Sequence, residues 1–439
     1  MQLSLRGLAW FSLYLTITLV PAFVALAADP FALPRSGFVE ASVALAFIAF
    51  PLLLAQFALV SRLRALSAGF GTDVLMQFHR QMGIVALAFV VLHVLLLAGR
   101  GASWPTLDPF SGSWAMRSGA IALWSTLLIV ASSVVRRRVR LRYEAWQVIH
   151  LAAAITIVIA ASAHIVAIAG YSRAASVRGA VIGYGAVALA LATWYRVARP
   201  LTLMRRPWRV VANRDEGAST RTLCVRPEGH DGMTFTAGQF AWLLTGRSPL
   251  LAQQHPLSMS SSAAPNDEHA IDFTIKALGD WSANEVPALV PGSRVWVDGP
   301  FGAFTEGRQP AQGLVLVAGG IGISPMRSIL RTLRDRGDVR PVLLFYAAND
   351  ASRTVFGDEL RSLERSLNLT LVYVFEHANG EWRGERGRIT ESVLRRHLPH
   401  HFKRFQYFVC GPGGMMDATE RLLIGIGVPR RLINTERFD

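Results

Sequence analysis

The sequence predicts a multidomain membrane protein: a six-helix transmembrane bundle, then an antiparallel β-barrel domain, then an α/β nucleotide-binding domain. Three observations carry that expectation. Of 439 residues, 51% are hydrophobic and 17% charged, too apolar for an ordinary soluble chain and too charged for a bare membrane bundle. Residues 1–200 hold only five acidic side chains, Asp29, Glu40, Asp73, Asp108 and Glu144, whereas the remainder is mixed and soluble in character. Within that remainder the pattern changes from short alternating strands to strands alternating with helices. The expected domains are residues 1–200, 207–305 and 312–439.

Six apolar runs of spanning length occur, at about 7–28, 38–60, 75–98, 115–135, 145–169 and 178–198. The first ends in Ala25-Leu26-Ala27-Ala28-Asp29, a small-residue cleavage pattern, but it is longer than a usual signal core and is expected to remain as a helix. Arginines mark the inner face: Arg62 and Arg64 follow the second run. Arg136, Arg137, Arg138, Arg140 and Arg142 follow the fourth, and Arg196, Arg199, Arg205, Arg206 and Arg209 the sixth. This positive-inside pattern puts the C-terminal half in the cytosol. It also accounts for much of the +15 net charge, so the basic residues point to membrane lipid and not to nucleic acid.

The third and fifth runs carry the chemistry. One is bounded by His79 and His93, the other by His150 and His164, and residues 1–200 contain no other histidine. Fourteen residues advance a helix by about 21 Å and nearly four whole turns, so both histidines of a segment face the same way at two depths. Two such helices side by side present His79 with His150 and His93 with His164, the arrangement for two stacked haem b groups with paired axial imidazoles. A membrane histidine also serves as a proton relay, a packing residue or an interhelical hydrogen bond. The repeated spacing favours haem. Phe89 lies between the two levels. Arg80 stands beside the inner pair, and Arg100 and Arg117 are candidates for the outer face.

After Arg206-Pro207 the segments WRVVANR, STRTLCVRP, FTAGQFAWLL and AIDFTIKAL read as antiparallel strands of a small barrel. His255-Pro256-Leu257-Ser258-Met259-Ser260-Ser261 offers hydroxyls to a flavin ring or its phosphates, or is a serine-rich edge strand. Lys276, Gly279, Trp281 and Ser282 open a short helix suited to a pyrophosphate. Gly299-Pro300-Phe301-Gly302 closes the barrel in a turn that a ligand can approach. Beyond residue 312, Gly319-Gly320-Ile321-Gly322-Ile323-Ser324-Pro325 joins a buried strand to a helix, a turn able to cradle a dinucleotide phosphate. A second strand-to-glycine turn holds Cys410, Gly411 and Pro412; the thiol either lies against a nicotinamide or is a small buried hydrophobe. The two cysteines, Cys224 and Cys410, imply no disulfide framework.

Taken in order, the histidine pairs, HPLSMSS, GPFG, GGIGISP, CGPGG and a near-terminal ERF resemble the NADPH oxidase and ferric reductase superfamily. The resemblance covers nearly the whole chain. It implies FAD at His255, Pro256, Leu257 and Ser258, and NADPH or NADH at Gly320, Gly322, Pro325, Cys410, Gly411 and Pro412. Phe438 matches the aromatic residue that covers the flavin. Many members grip the 2′-phosphate with arginine after the second nucleotide-domain strand. Here Asn349 and Asp350 stand there, with Arg353 slightly later, and an acidic group favours a free ribose hydroxyl.

The resemblance further implies electron flow from NAD(P)H through FAD and both haems to a small acceptor across the bacterial inner (plasma) membrane. Oxygen giving superoxide is the expected acceptor, because the outer loops are short and hold no metal-ligand cluster. A ferric or cupric chelate, a quinone or a periplasmic partner are alternatives. Competing classes are a transporter with a nucleotide-sensing regulator and a membrane anchor for a soluble flavoenzyme.

Overall fold

The computed structural model describes residues 5–28, 36–63, 66, 71–98, 107–136, 138–168, 171–250, 252–265, 269–307 and 311–437. The chain divides into two compact units: Met1–Leu66 with Val74–Ala198, and Ser67–Asp73 with Arg199–Asp439.

The first unit is helical: α1 (Leu5–Ala28), α2 (Gly37–Val60), α3 (Thr72–Ala98), α4 (Trp114–Val135), α5 (Tyr143–Ala167) and α6 (Ala175–Thr193). All six are long and apolar enough to cross a membrane. Phe47, Phe50, Leu54, Val158, Val177, Val181 and Ala188 form a packed core between α2, α5 and α6, joined by Ala25 of α1. Small residues permit close approach, as where Gly185 faces the Ser162 hydroxyl. Helix α3 is different. Only 6% of its apolar window is buried by protein, against 50% for α2.

The sixth span does not stop near residue 198 as expected. A π-helical turn, Trp194–Ala198, leads into α7 (Arg199–Met204), which carries the span on to Met204. Pro200 explains the wide turn: its ring has no N–H to give and crowds the carbonyl four residues back.

The second unit holds two six-stranded sheets. The first is antiparallel in the order β4-β3-β6-β1-β2-β5, with β1 Trp208–Gly217, β2 Thr220–Pro227, β3 Phe240–Thr245, β4 Gln253–Ser258, β5 Ile271–Lys276 and β6 Arg294–Phe301. Its two outer strands meet at one seam, where Met259 bridges to Phe273 and Ser260 N–H donates to the Asp272 carbonyl at 2.7 Å. Leu223, Val225, Leu243, Met259, Phe273 and Val295 fill the interior.

The second sheet is parallel in the order β10-β9-β8-β7-β11-β12. Its strands are β7 Leu314–Gly319, β8 Val342–Ala348, β9 Leu369–Phe375, β10 Glu385–Arg386, β11 Gln406–Cys410 and β12 Ile433–Thr435. Alternate residues of β7 serve opposite faces. Leu314, Leu316 and Ala318 pack towards α8 (Ile323–Asp335) and α9 (Gly357–Ser366), while Val315 and Val317 pack towards α10 (Glu391–His397) and α11 (Gly413–Gly425). The chain reverses direction across the sheet between β7 and β11, the place where ligands bind in doubly wound folds.

Phe273 is fully buried and lies on the barrel seam. Phe273→Ala is expected to lower stability by about 3–5 kcal/mol, read as a fall in the thermal midpoint of the second unit.

Candidate functional site

In the membrane unit three of the four histidines, His93, His150 and His164, are held by a partner on a neighbouring helix, and the buried Nδ1 of His79 has none among the described residues. The rings of His79 on α3 and His150 on α5 have centroids 6.4 Å apart. An imidazole nitrogen binds a metal at about 2 Å, with the ring centre about 1 Å behind it, so two imidazoles on opposite sides of one metal hold their centres about 6 Å apart. His93 and His164 lie within electrostatic range of each other.

The second nitrogen of each ring decides what the first can do. His93 Nδ1 lies 2.8 Å from the Ser42 carbonyl oxygen, and His164 Nδ1 lies 2.7 Å from the Ala115 carbonyl oxygen. A carbonyl only accepts, so both Nδ1 atoms carry hydrogen and both Nε2 atoms present a bare lone pair. The Ser42 hydroxyl donates to the His93 carbonyl at 2.9 Å and fixes the two helices together. His150 Nδ1 lies 3.4 Å from the Ser133 hydroxyl. A Cβ on Gly119 would stand 2.6 Å from His164 Nδ1, so only glycine lets that ring reach the Ala115 carbonyl. A backbone carbonyl behind a ring nitrogen is the usual support for a metal-bound histidine. Among the described residues no cluster of three or more His, Cys, Asp or Glu is placed to hold a metal ion. A porphyrin supplies four nitrogens of its own, and a histidine pair then suffices. Arg80 is exposed, Arg117 donates to the Pro109 carbonyl, and Arg100 lies outside the described residues.

In the barrel, His255, Pro256, Leu257 and Ser258 lie on β4, an end strand of the sheet order that pairs with β3. His255 stacks on Trp281 with centroids 3.6 Å apart and planes 15° apart, bringing two expected flavin residues together. Trp281 Nε1–H donates to the Thr245 hydroxyl.

Three expectations need correction. Ser260 and Ser261 face inward: the Ser260 hydroxyl lies 2.8 Å from that of Thr274, and the Ser261 hydroxyl accepts from Asp272 N–H. Ser282 spends its hydroxyl on its own turn, accepting from Leu278 and Gly279 N–H. Gly299, Pro300 and Phe301 are not a turn but the end of β6, and only Gly302 turns, at φ +99. Protein atoms stand close to both glycines. A Cβ on Gly299 would meet Ala241 Cβ at 2.8 Å, and one on Gly302 would meet the Glu436 carboxylate at 2.6 Å. Beside them Arg199 donates to Asp298 at 2.6 Å and lies over the Phe301 ring at 5.3 Å.

On the parallel sheet the two glycine turns meet at the carboxyl ends of β7 and β11. A Cβ on Gly322 would lie 2.1 Å from the Cys410 carbonyl oxygen, and one on Gly319 would lie 3.0 Å from Pro412 Cδ. Gly411 packs against Gly319 in return. Gly320 has φ +52, and the Nζ of Lys276 would lie 4.0 Å from a Cβ there. Pro325 sits in the first turn of α8, where no N–H is missed. Cys410 is buried, and burial, with the Glu436 carboxylate nearby, pushes its thiol well above the usual range. Asp350 and Arg353 share one exposed turn after β8. Phe438 lies outside the described residues.

Residues 45–161 match the ferric reductase like transmembrane component, and residues 316–421 match the oxidoreductase NAD-binding domain. The chain joins a ferric-reductase-like transmembrane domain to a ferredoxin–NADP reductase-type module. By its two domain matches the chain is similar to a ferric reductase/NADPH oxidase-like fusion. It is 29% identical over 187 residues to the electron transfer component of xylene/toluene monooxygenase from Pseudomonas putida, covering 41% of this chain and 52% of that protein. It is 26% identical over 243 residues to ferredoxin–NADP reductase B of Sorangium cellulosum, covering 53% of this chain and 96% of that one. The fusion thus spans about half the length of the first relative and nearly all of the second. A flavohemoglobin from Malassezia yamatoensis with bound FAD and heme superposes with a TM-score of 0.51 at 16% identity, over 92% of this chain and 99% of that one, a likeness of fold.

Sequence reasoning missed Ser42, Gly119 and the Ala115 carbonyl. Ser42 left a signal, a lone hydroxyl inside a long apolar run. The Ala115 carbonyl left none, since every residue carries one.

Two outcomes follow from the geometry. Gly322→Ala is expected to weaken NAD(P)H binding at least about tenfold with the flavin content unchanged, measured by nucleotide titration of the oxidised fusion. Cys224 is also held as a thiol, pushed up to about 12 by burial and then by Asp272. Neither cysteine should therefore alkylate in the native protein at pH 8, and both should in denaturant, as read by mass spectrometry.

Proposed function

We propose that the fusion passes electrons from NAD(P)H through FAD and two bis-histidine haem b groups to oxygen at the outer face, giving superoxide. The supporting observation is the doubled histidine frame, with the His79–His150 rings 6.4 Å apart and the His93 and His164 Nδ1 atoms bonded to carbonyls. Bound flavin accepts two electrons together and releases them singly, and haem relays them one at a time. The chain's own residues do the rest. Ser42 and Ala115 hold the outer rings with Nε2 inward. Strand β4 with the His255–Trp281 stack would hold the flavin, and Gly319–Gly322 with Gly411 would hold the nucleotide. Asp350 keeps its carboxylate charged because the Ser352 hydroxyl donates to it, which suits a ribose hydroxyl, while Arg353 beside it suits a 2′-phosphate. The reading includes domain limits of 1–200, 207–305 and 312–439, a bacterial inner membrane and a cytosolic second unit, the last from the arginine bias.

A ferric or cupric chelate is the second acceptor, favoured by the match of residues 45–161 to the ferric reductase like transmembrane component.

The test is anaerobic reduction of the detergent-purified, FAD-loaded protein by NADPH, followed by oxygen or ferric chelate added separately. Bis-histidine haem bands that reoxidise rapidly in oxygen with matching superoxide are expected. Absent bands would end the reading, and fast ferric turnover with sluggish oxygen reaction would move it to the second acceptor. His93→Leu should lose one of two haems and acceptor reduction while leaving NAD(P)H-to-flavin reduction intact. Ser42→Ala should weaken haem retention about tenfold, measured by competition with apomyoglobin.

A further inference from the structure

Strand β5 and helix α8 run against each other in register. Alternate residues of β5 share one face of the strand. Of these, Asp272 meets Arg327 and Arg331, each at 3.3 Å, and the Thr274 carbonyl accepts from the Ser324 hydroxyl at 3.4 Å. Lys276 ends beside Gly320. As β5 advances from 272 to 276, its partners step back along α8 from 331 to the glycine turn that opens it. The same helix holds the chain beyond β4. Ala263 N–H donates to the Thr332 hydroxyl at 2.8 Å, and the Asp335 carboxylate accepts from Ser262.

Arg327 is the centre of this contact. It is 3% exposed, yet its guanidinium donates to Asp272, to both the hydroxyl and the carbonyl of Ser260 (3.3 and 3.4 Å), and to Glu359 at 2.9 Å. It lies over the Phe356 ring, 4.3 Å from its centroid. Nε meets Glu359 while Nη1 faces Asp272 and Ser260, and two donor directions fixed in one plane define an orientation that a single ammonium nitrogen cannot. Ser260 in turn is two residues from Ser258 of the flavin strand and closes the barrel seam on Asp272.

We propose that Arg327 is a positioning residue for hydride transfer: through Asp272 and Ser260 it locks helix α8 to the barrel seam and sets the distance between the flavin strand and the dinucleotide turn. The step it serves moves a hydride, two electrons with one proton, from NAD(P)H to oxidised FAD. The inference rests on the assignment of flavin to β4 and nucleotide to Gly319–Gly322.

The test compares wild type with Arg327→Met, Arg327→Lys and Thr332→Ala in the full chain. Flavin content, nucleotide Kd, the rate of flavin reduction at saturating NADPH and its primary deuterium isotope effect are measured together. Amide exchange is followed over residues 258–263 without cofactor. In Arg327→Met the reduction rate should fall about 10- to 100-fold with an altered isotope effect, while Kd and flavin content change less than about twofold. Exchange over residues 258–263 should speed up. Arg327→Lys should restore little. Thr332→Ala, which leaves no buried charge unpaired, should give a smaller change in the same direction and covers the case in which Arg327→Met does not fold. Unchanged reduction rate and isotope effect per folded, flavin-loaded molecule would overturn the proposal and leave Arg327 a stability residue only. A wild-type protein that binds no flavin, or whose flavin NADPH does not reduce, would instead overturn the cofactor assignment.

Discussion

A polar atom taken out of water has to be bonded inside the protein, and both compact units are arranged around that requirement. In the membrane unit it acts on imidazoles. Each outer histidine gives its Nδ1 hydrogen to a carbonyl on another helix, Ser42 on α2 or Ala115 on α4, and that bond fixes both the tautomer and the ring direction. The helices are tied at those points, and Gly119 is small because the tie passes over it. In the second unit the requirement acts on Arg327. A guanidinium with almost no contact with water needs partners on several sides, and they come from β5, from the segment after β4 and from α9.

The membrane frame was legible because helical geometry is simple. A fourteen-residue spacing repeated in two apolar runs determines which faces the four histidines share. The spans were legible from hydropathy to within a few residues, except the sixth, where Pro200 is absorbed by a π turn and the helix runs on to Met204. What holds the rings was not legible. A carbonyl partner depends on which helices lie side by side, and no single residue type announces it.

In the second unit the glycine turns at 319–322 and 411 were readable, but the reasons for other glycines were not. A small residue signals only that something comes close. At Gly302 the neighbour is Glu436, and at Gly299 it is Ala241, so these glycines serve packing inside the protein. The serine run misled for a similar reason. Ser258 ends an edge strand, but Ser260 and Ser261 have already turned into the barrel seam, and a strand's side-chain alternation cannot be counted past its last paired residue. Arg327 resembled any basic residue on an amphipathic helix until the helix was placed against β5.

The seam has a consequence for how the second unit folds. Among the described residues the barrel closes through the bridge from Met259 to Phe273 and the neighbouring bond from Ser260 N–H to the Asp272 carbonyl, and the residues next to both are those gripped by α8. Closure of one sheet and docking of the other are therefore a single cooperative event. Neither lobe has a complete surface of its own at that edge. The barrel alone would keep Asp272 with only Arg214 of its own β1 and without Arg327 and Arg331, and the parallel sheet alone would expose the arginine that its helix hides. The two lobes are therefore expected to unfold together.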